Sequence, residues 1–388
     1  MKLKLKNTPE QVELIKALGS KDPHIAAEAA SAFAAFIGPV ISKVIATAGT
    51  SGLIFSDVEY DEDDSPSYPL DLYYNENEGY VTTWSQNIAG GMPTSQVEGV
   101  KEMKIATYRL DSAVSFLKKY ARKSRLDVIS KALERMAQEV LLKQERNAWA
   151  VILKALANAN TSHSDAVGNG HVLASMVENE FSVHDMSRML TLMKRISSSW
   201  TGGTPAGGDA YGLTDLFVSP EIKQQIRAFA YNPMNTVNNK DGGVIALPDN
   251  VREDIFRAAG TNEIYGVRIS DLNELGVGKK YNKLFDDFIG STLVAHTENP
   301  EADQGQQSDA FDGSYVSTVH TGDEILIGID ASREAFIRPV ARQHDSGGTF
   351  SALPDDQFAA RADKTGFYGF LEEGRVCIDA KAIIGMVV

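Results

Sequence analysis

Residues 126–156 read LDVISKALERMAQEVLLKQERNAWAVILKAL, and the spacing of the apolar positions here decides the architecture. Leu126, Ile129, Leu133, Met136, Val140, Ala148, Val151 and Ala155 lie close to one helical face, and Leu141, Ile152 and Leu156 widen it. Asp127 with Lys131, and Glu139 with Lys143, form favourable i,i+4 pairs on the wet side. Ser124 stands where a capping hydroxyl is wanted. About 35 residues at roughly 1.5 Å each make a rod of roughly 50 Å, long enough to act as a spine.

Before this helix the character is different. Leu53–Tyr60, Pro69–Tyr74, Tyr80–Asn87 and Met103–Leu110 are rich in aromatic and β-branched residues, with turn clusters at Asp61–Pro66 and Gly90–Pro93 between them. Such a ribbon has too little apolar surface for a core of its own, and an isolated hairpin is marginal in water, so it must lie on something else. Tyr68, Tyr73, Tyr74, Tyr80 and Trp84 are its candidate contact anchors. Further towards the N-terminus, Asp22-Pro23 opens a helical stretch carrying Ile25, Ala29, Phe33, Ile37, Ile41 and Val44, which Pro39 is expected to divide in two.

After the spine, Asn158–Gly170 is a polar loop, and a second helix starts at Ser182 with Met186, Met189, Leu190, Met193 and Ile196 on one face. The glycine-rich stretch Gly202–Gly212 reads as a linker and a lobe boundary. Short elements then alternate. Leu213–Val218 is a strand, Ser219-Pro220-Glu221 opens a helix, and Val251–Ala259 is another helix. Ile264–Ile269 is a strand containing Gly266, and Leu284–His296 is expected to be extended and buried. Glu324–Ile329 and Glu334–Val340 are strands, and Gly374–Val388 is a final apolar strand.

Composition narrows the function. The 388 residues are 43% hydrophobic and 23% charged, with a formal net charge of −14. No basic cluster exceeds Lys118-Lys119 with Arg122, Lys123 and Arg125, read as a solvated helix end, so sequence-specific nucleic-acid binding is disfavoured. The single cysteine, Cys377, cannot form an internal disulfide and reads as a buried, inert thiol. The basic residues of Met1–Lys6 are not followed by an apolar segment, so no signal peptide is expected. The uncharged run Ala29–Ser42 is too short to cross a bilayer.

Chemistry-bearing motifs are missing. There is no GxxxxGK(S/T) loop, no dinucleotide fingerprint around Gly168-Asn169-Gly170, no GxSxG elbow and no HExxH. Asp271–Gly276 begins like a calcium loop, but Leu275 and Asn282 occupy the fifth and twelfth positions, where oxygen ligands are needed. His163 and His171 share a loop without other ligands, and Asp61–Asp64 reads as a solvated turn. Asp286-Asp287 and Asp355-Asp356, as neighbouring strand positions, would face opposite ways and make poor acid–base dyads. No catalytic residue, cofactor or metal is expected.

The order of parts, helical arm, β ribbon, spine helix, glycine-rich crossing, mixed lobe and return, resembles the Hong Kong 97-type major capsid proteins of tailed bacteriophages over essentially the whole chain. Asp356-Gln357-Phe358, Phe370-Leu371-Glu372-Glu373-Gly374-Arg375 and Ala382-Ile383-Ile384-Gly385 are similar to that family's closing stretch, and Tyr265–Ile269 to one of its axial-domain strands. The resemblance implies an α+β Hong Kong 97-like capsid fold. Its parts would be an N-terminal arm at 1–52, an extended loop (E-loop) at 53–110, a peripheral domain at 111–205 and 332–373, and an axial domain at 206–331 and 374–388. It implies a structural protein, not an enzyme, that self-assembles as pentamers and hexamers into an icosahedral shell. The shell would enclose double-stranded DNA without sequence-specific binding, and Tyr68, Tyr73, Tyr74, Tyr80 and Trp84 would lie at inter-subunit contacts. A separate scaffolding protein, a portal and optionally a decoration protein would be its partners. Its place would be the virion capsid, assembled in the bacterial host cytoplasm and away from membranes. The lysine–asparagine crosslink of the type member is not carried over, because no residues here are matched to it. An encapsulin-type nanocompartment shell, which shares the fold, is the alternative; an unrelated enzyme is a third class for which no site is seen.

Overall fold

The computed structural model describes residues 8–47, 49–61, 64–69, 102–123, 126–162, 171–176, 179–197, 212–229, 263–289, 323–342, 349–355 and 364–388. Helix α1 (Pro9–Leu18) has proline and Glu10 in its first turn, both suited to a helix N-terminus. Helix α2 (Pro23–Thr47) is opened by Asp22, whose carboxylate accepts from the His24 amide at 3.0 Å. It runs unbroken through Pro39, contrary to the expected division. Proline removes one intrahelical bond, but tertiary packing outweighs that loss. Ala29, Ala30, Phe33, Ala34, Ile37 and Ile41 are buried in one stripe against α1 and a strand described below. Ile25, expected in that stripe, stands 48% exposed.

Strands β1 (Ser56–Asp61), β2 (Ser67–Pro69), β3 (Glu102–Lys104) and β4 (Thr107–Leu117) follow. The basic cluster is not the end of the spine helix. Lys118, Lys119 and Arg122 belong to a helix of their own, α3 (Lys118–Arg122), and the Arg122 guanidinium donates to the Gly19 carbonyl at 2.8 Å, just past the end of α1; Arg125 lies outside the described residues. The spine is α4 (Leu126–Ser162), 37 residues long. Ile129, Leu133, Met136, Val140, Ala148, Ile152 and Leu156 are buried as the periodicity requires, and Trp149 and Leu153 join them. Val151 and Ala155 are only partly buried, and Ser124 lies outside the described residues.

Strand β5 (Val172–Ala174) precedes α5 (Val183–Ser197), which begins with a reciprocal cap. The Asp185 amide donates to Ser182 Oγ at 3.2 Å, and the Ser182 amide donates to Asp185 Oδ2 at 3.0 Å. Strand β6 (Asp215–Val218) leads into α6 (Pro220–Ala228), where Ser219 Oγ accepts from the Ile222 amide at 3.0 Å. The stretch read as one strand at 264–269 is a hairpin of β7 (Glu263–Ile264) and β8 (Val267–Asp271). Tyr265 and Gly266 have φ of 54° and 79°, the left-handed pair that a two-residue turn needs.

The expectation of an extended segment from Leu284 is also corrected. Residues Lys280–Ile289 form α7, with Tyr281 and Phe285 buried four positions apart; 290–296 lie outside the described residues. Asp286 and Asp287 are therefore exposed helix positions, so the strand argument against them does not apply. Strands β9 (Ile325–Ile329), β10 (Phe336–Arg342), β11 (Ser351–Asp355), β12 (Lys364–Gly374), β13 (Val376–Cys377) and β14 (Ile383–Val387) complete the chain. The final apolar stretch is thus not one strand. Asp379 caps a 3-10 turn, Ala380–Ala382, that interrupts it, accepting from the Lys381 amide at 2.9 Å.

The described residues form two compact units. The first takes the chain up to 69, from 102 to Ala148, and from Phe336 to Val376; the second takes Trp149–Ala335 and Cys377–Val388, so the changeover falls within α4. The linker expected at Gly202–Gly212 lies almost wholly outside the described residues, as does the helix expected at Val251–Ala259.

In the first unit β1 runs parallel to β10, from Ser56 opposite Ile337 to Asp61 opposite Arg342. β12 lies antiparallel to β4 along its whole length, from Lys364 opposite Leu117 to Gly374 opposite Thr107, and antiparallel to β11 on its other side. Phe33, Phe116 and Phe367 cluster between this sheet and the helices, with ring centroids 5.2 and 6.0 Å apart around Phe367. Gly369 leaves room for Met136 and Phe350, because a Cβ there would stand 2.3 Å from Met136 Cε and 2.4 Å from Phe350 Cζ. The second unit is built on a six-stranded sheet in the order β5-β14-β9-β6-β8-β7. Met186, Met189 and Met193 of α5 and Ile222 and Ile226 of α6 pack in its core. Trp149 meets Phe217 edge-on at 4.9 Å.

Candidate functional site

Of the five aromatic residues assigned to the ribbon, Tyr68 is described. It is half-buried in β2, opposite Met103 of β3. Tyr73, Tyr74, Tyr80 and Trp84 lie outside the described residues. The β2–β3 ladder draws the chain together on either side of 70–101, and the Ile105 amide extends it by donating to the Pro66 carbonyl at 3.1 Å.

Beyond this ladder the two stems enter the sheet of the first unit as β1 and β4, where two adjacent carboxylates of β12 receive them. Glu372 Oε1 accepts from Tyr60 Oη of β1 at 3.1 Å and from Thr107 Oγ1 of β4 at 2.8 Å. Glu373 points to the opposite face, as the next residue of a strand must, and is fully buried. Its Oε1 accepts from Tyr108 Oη at 2.8 Å, and its Oε2 accepts from Gln144 Nε2 of α4 at 3.0 Å and from Arg338 Nε at 2.7 Å. Arg375 lies 3.4 Å away with its guanidinium over the Phe55 ring, and Arg338 also reaches Asp57 at 3.2 Å.

Electrostatics follow from this arrangement. Burial pushes the Glu373 carboxyl up, but the Arg338 and Arg375 guanidiniums override it and hold the group below the usual carboxylate range. Burial, then the Glu373 charge, pushes the Tyr108 hydroxyl up to about 12, so it remains a proton donor at neutral pH. Two carboxylates, Glu373 and Asp57, face two guanidiniums, which satisfies the condition for burying charge at all.

Sequence reasoning saw Glu372-Glu373 only as part of a family-like closing stretch, and missed Tyr60, Thr107, Tyr108 and Arg338 as their partners. The available signal was an acidic pair inside an otherwise apolar strand.

On the face of the sheet that carries Glu372, Arg109 lies 4.0 Å over the Phe370 ring, and donates to Asp111 Oδ1 at 2.9 Å and to Tyr368 Oη at 3.1 Å. Tyr368 in turn donates to Asp111. These are packing and hydrogen-bonding groups, and no nucleophile stands beside a base among them.

Elsewhere, the half-buried Cys377 donates to the Asp379 carbonyl at 3.4 Å, and desolvation, reinforced by the Asp379 charge, pushes its thiol up to about 12. Asp271, from the rejected calcium loop, ends β8 and pairs with Lys223, which holds its carboxyl below the ordinary value. Among the described residues no group of three or more His, Cys, Asp or Glu could hold a metal ion, and no helix is long and apolar enough to cross a membrane.

No protein-family model matches the chain, and no curated protein matches it. Solved structures do. The capsid structure of the cyanophage P-SCSP1u is similar at a TM-score of 0.50 and 11% identity, over 87% of this chain and 88% of that one. A structure from Microbacterium phage Oxtober96 is similar at 0.47 and 13% identity, over 88% and 91%. The asymmetric unit of the bacteriophage PhiM1 mature capsid is similar at 0.43 and 11% identity, over 87% and 86%. The first of these carries the assignment, and at this identity it is one of fold: the chain has a capsid-type α+β fold.

Proposed function

We propose that this chain, folded like a phage capsid subunit, is the major capsid protein of a tailed bacteriophage and has a structural rather than a catalytic role. The observation that carries the reading is the length of the fold match, 87% of this chain against 88% of a cyanophage capsid chain. In this reading the Hong Kong 97-type parts apply, with an arm, an E-loop, and peripheral and axial domains. Rings of five and six subunits close into an icosahedral shell around double-stranded DNA. Heterologous contacts that close into rings reuse one set of surfaces in every subunit. A ribbon without its own core supplies such a surface, its aromatic residues being covered by the neighbouring subunit. The net charge of −14 lets the shell enclose DNA without holding it by its phosphates. A scaffolding protein and a portal are the partners that the reading calls for, and assembly takes place in the host cytoplasm.

Negative-stain microscopy of the protein co-expressed with its scaffolding protein tests this. Closed shells containing pentamers and hexamers are the expected result. A compact monomer or simple dimer under all assembly conditions sinks the proposal, and native shells that hold an enzyme in place of DNA replace it with the nanocompartment alternative.

A further inference from the structure

We propose that Glu372 is the clamp that fixes the direction in which the ribbon leaves the subunit; this rests on the reading of the ribbon as an assembly element. β1 and β4 are not partners in the sheet: β1 pairs with β10, and β4 with β12. The two stems are therefore joined by backbone only indirectly, through β10 and β12, where they leave the sheet. Tyr60 is the penultimate residue of β1 and Thr107 is the first of β4, and both hydroxyls converge on the same oxygen of Glu372. Hydrogen bonds to an ionised acceptor are stronger than neutral ones and hold their geometry better. The neighbouring carboxylates divide the work. Glu373 is buried among Tyr108, Gln144, Arg338 and Arg375 and holds the unit together. Glu372 is only half-buried and touches only the two stems among the bonds described, so its loss loosens the stems and spares the core. It is a positioning residue for assembly.

The test compares Glu372→Ala with Glu372→Gln, which keeps a carbonyl acceptor. Amide hydrogen exchange is read on unassembled subunits across the β2–β3 ladder and, as a reference, across β12. In Glu372→Ala the ladder is expected to exchange about tenfold faster, the equivalent of one net hydrogen bond to a charged group, with β12 unchanged. Glu372→Gln is expected to fall within roughly twofold of wild type, and Glu372→Ala to give misshapen shells at reduced yield. Should Glu372→Ala not fold, the Tyr60→Phe, Thr107→Val pair removes the donors and carries the same measurement. Unchanged ladder exchange overturns the clamp, as does a rise matched in β12, or normal shells from a subunit whose ladder has loosened. If wild-type protein forms no shells while the ladder responds as expected, the clamp contact stands and the capsid reading fails.

Discussion

In the first unit the buried carboxylate of Glu373 faces two guanidiniums, whereas in the second unit Glu324 and Asp330 are buried against hydroxyls and amides. Ser219 donates to Glu324, and the Ser332 amide donates to Asp330 Oδ1 at 3.1 Å. Their acidic neighbours are Glu221 and Asp379, and the nearby Arg333 is engaged by Asp379 at 3.0 Å. Burial therefore pushes both carboxyls above the ordinary range, while the arginines hold Glu373 below it. A paired buried charge ties elements together but is costly to break, whereas an unpaired buried acid is easily neutralised. The two units should thus answer acid, and loss of an acid, with opposite signs.

The largest expected effect is from Glu373→Ala. It leaves Arg375 without its buried carboxylate and Arg338 with only the exposed Asp57, and should cost about 3–5 kcal/mol of the first unit's stability in denaturant unfolding. A loss below about 1 kcal/mol would mean that the cluster is solvated and that the contrast between the units is false.

An intermediate effect is expected from pH. The Glu373 value is depressed in the folded state, so its contribution is present above the ordinary carboxylate range of about 4 and is lost as pH falls through the folded value. The values of Glu324 and Asp330 are raised, so their contribution is present below the ordinary range and is lost as pH rises through the folded values. Between pH 7 and pH 3, hydrogen exchange corrected for intrinsic rates should therefore speed up in β4 and β12 relative to β6 and β9. Equal change in both units would show that their buried acids titrate alike.

A smaller change is expected at Glu324. Glu324→Gln keeps an acceptor for Ser219 and removes a buried charge beside Glu221. It should leave stability at pH 7 unchanged or raise it by up to about 1 kcal/mol, measured as a shift in the thermal midpoint. A loss as large as that of Glu373→Ala would show that Glu324 has a cationic partner after all.

Elements whose signal is local could be read from neighbouring residues. The spine helix announces itself through the period of Ile129, Leu133, Met136 and Val140. The β6–α6 corner follows from an apolar run and the Ser219-Pro220 cap, and β9 from Ile325, Leu326 and Ile327 in succession. These need only the geometry of a few neighbouring residues. Where local signals were ambiguous, packing decided. α2 continues through Pro39 because Phe33, Ile37 and Ile41 are buried on one stripe, and Leu284–Ile289 is helical because Tyr281 and Phe285 are buried one turn apart. The convergence of the two stems on Glu372 was not legible. Tyr60 and Thr107 stand 312 and 265 positions from Glu372, and only the register of β1 on β10 and of β4 on β12 brings all three together. A hydrogen bond between residues so far apart depends on strand pairing that no periodicity encodes. The sequence could therefore nominate a long helix and a ribbon, but only the tertiary structure could say which carboxylate holds the ribbon's stems.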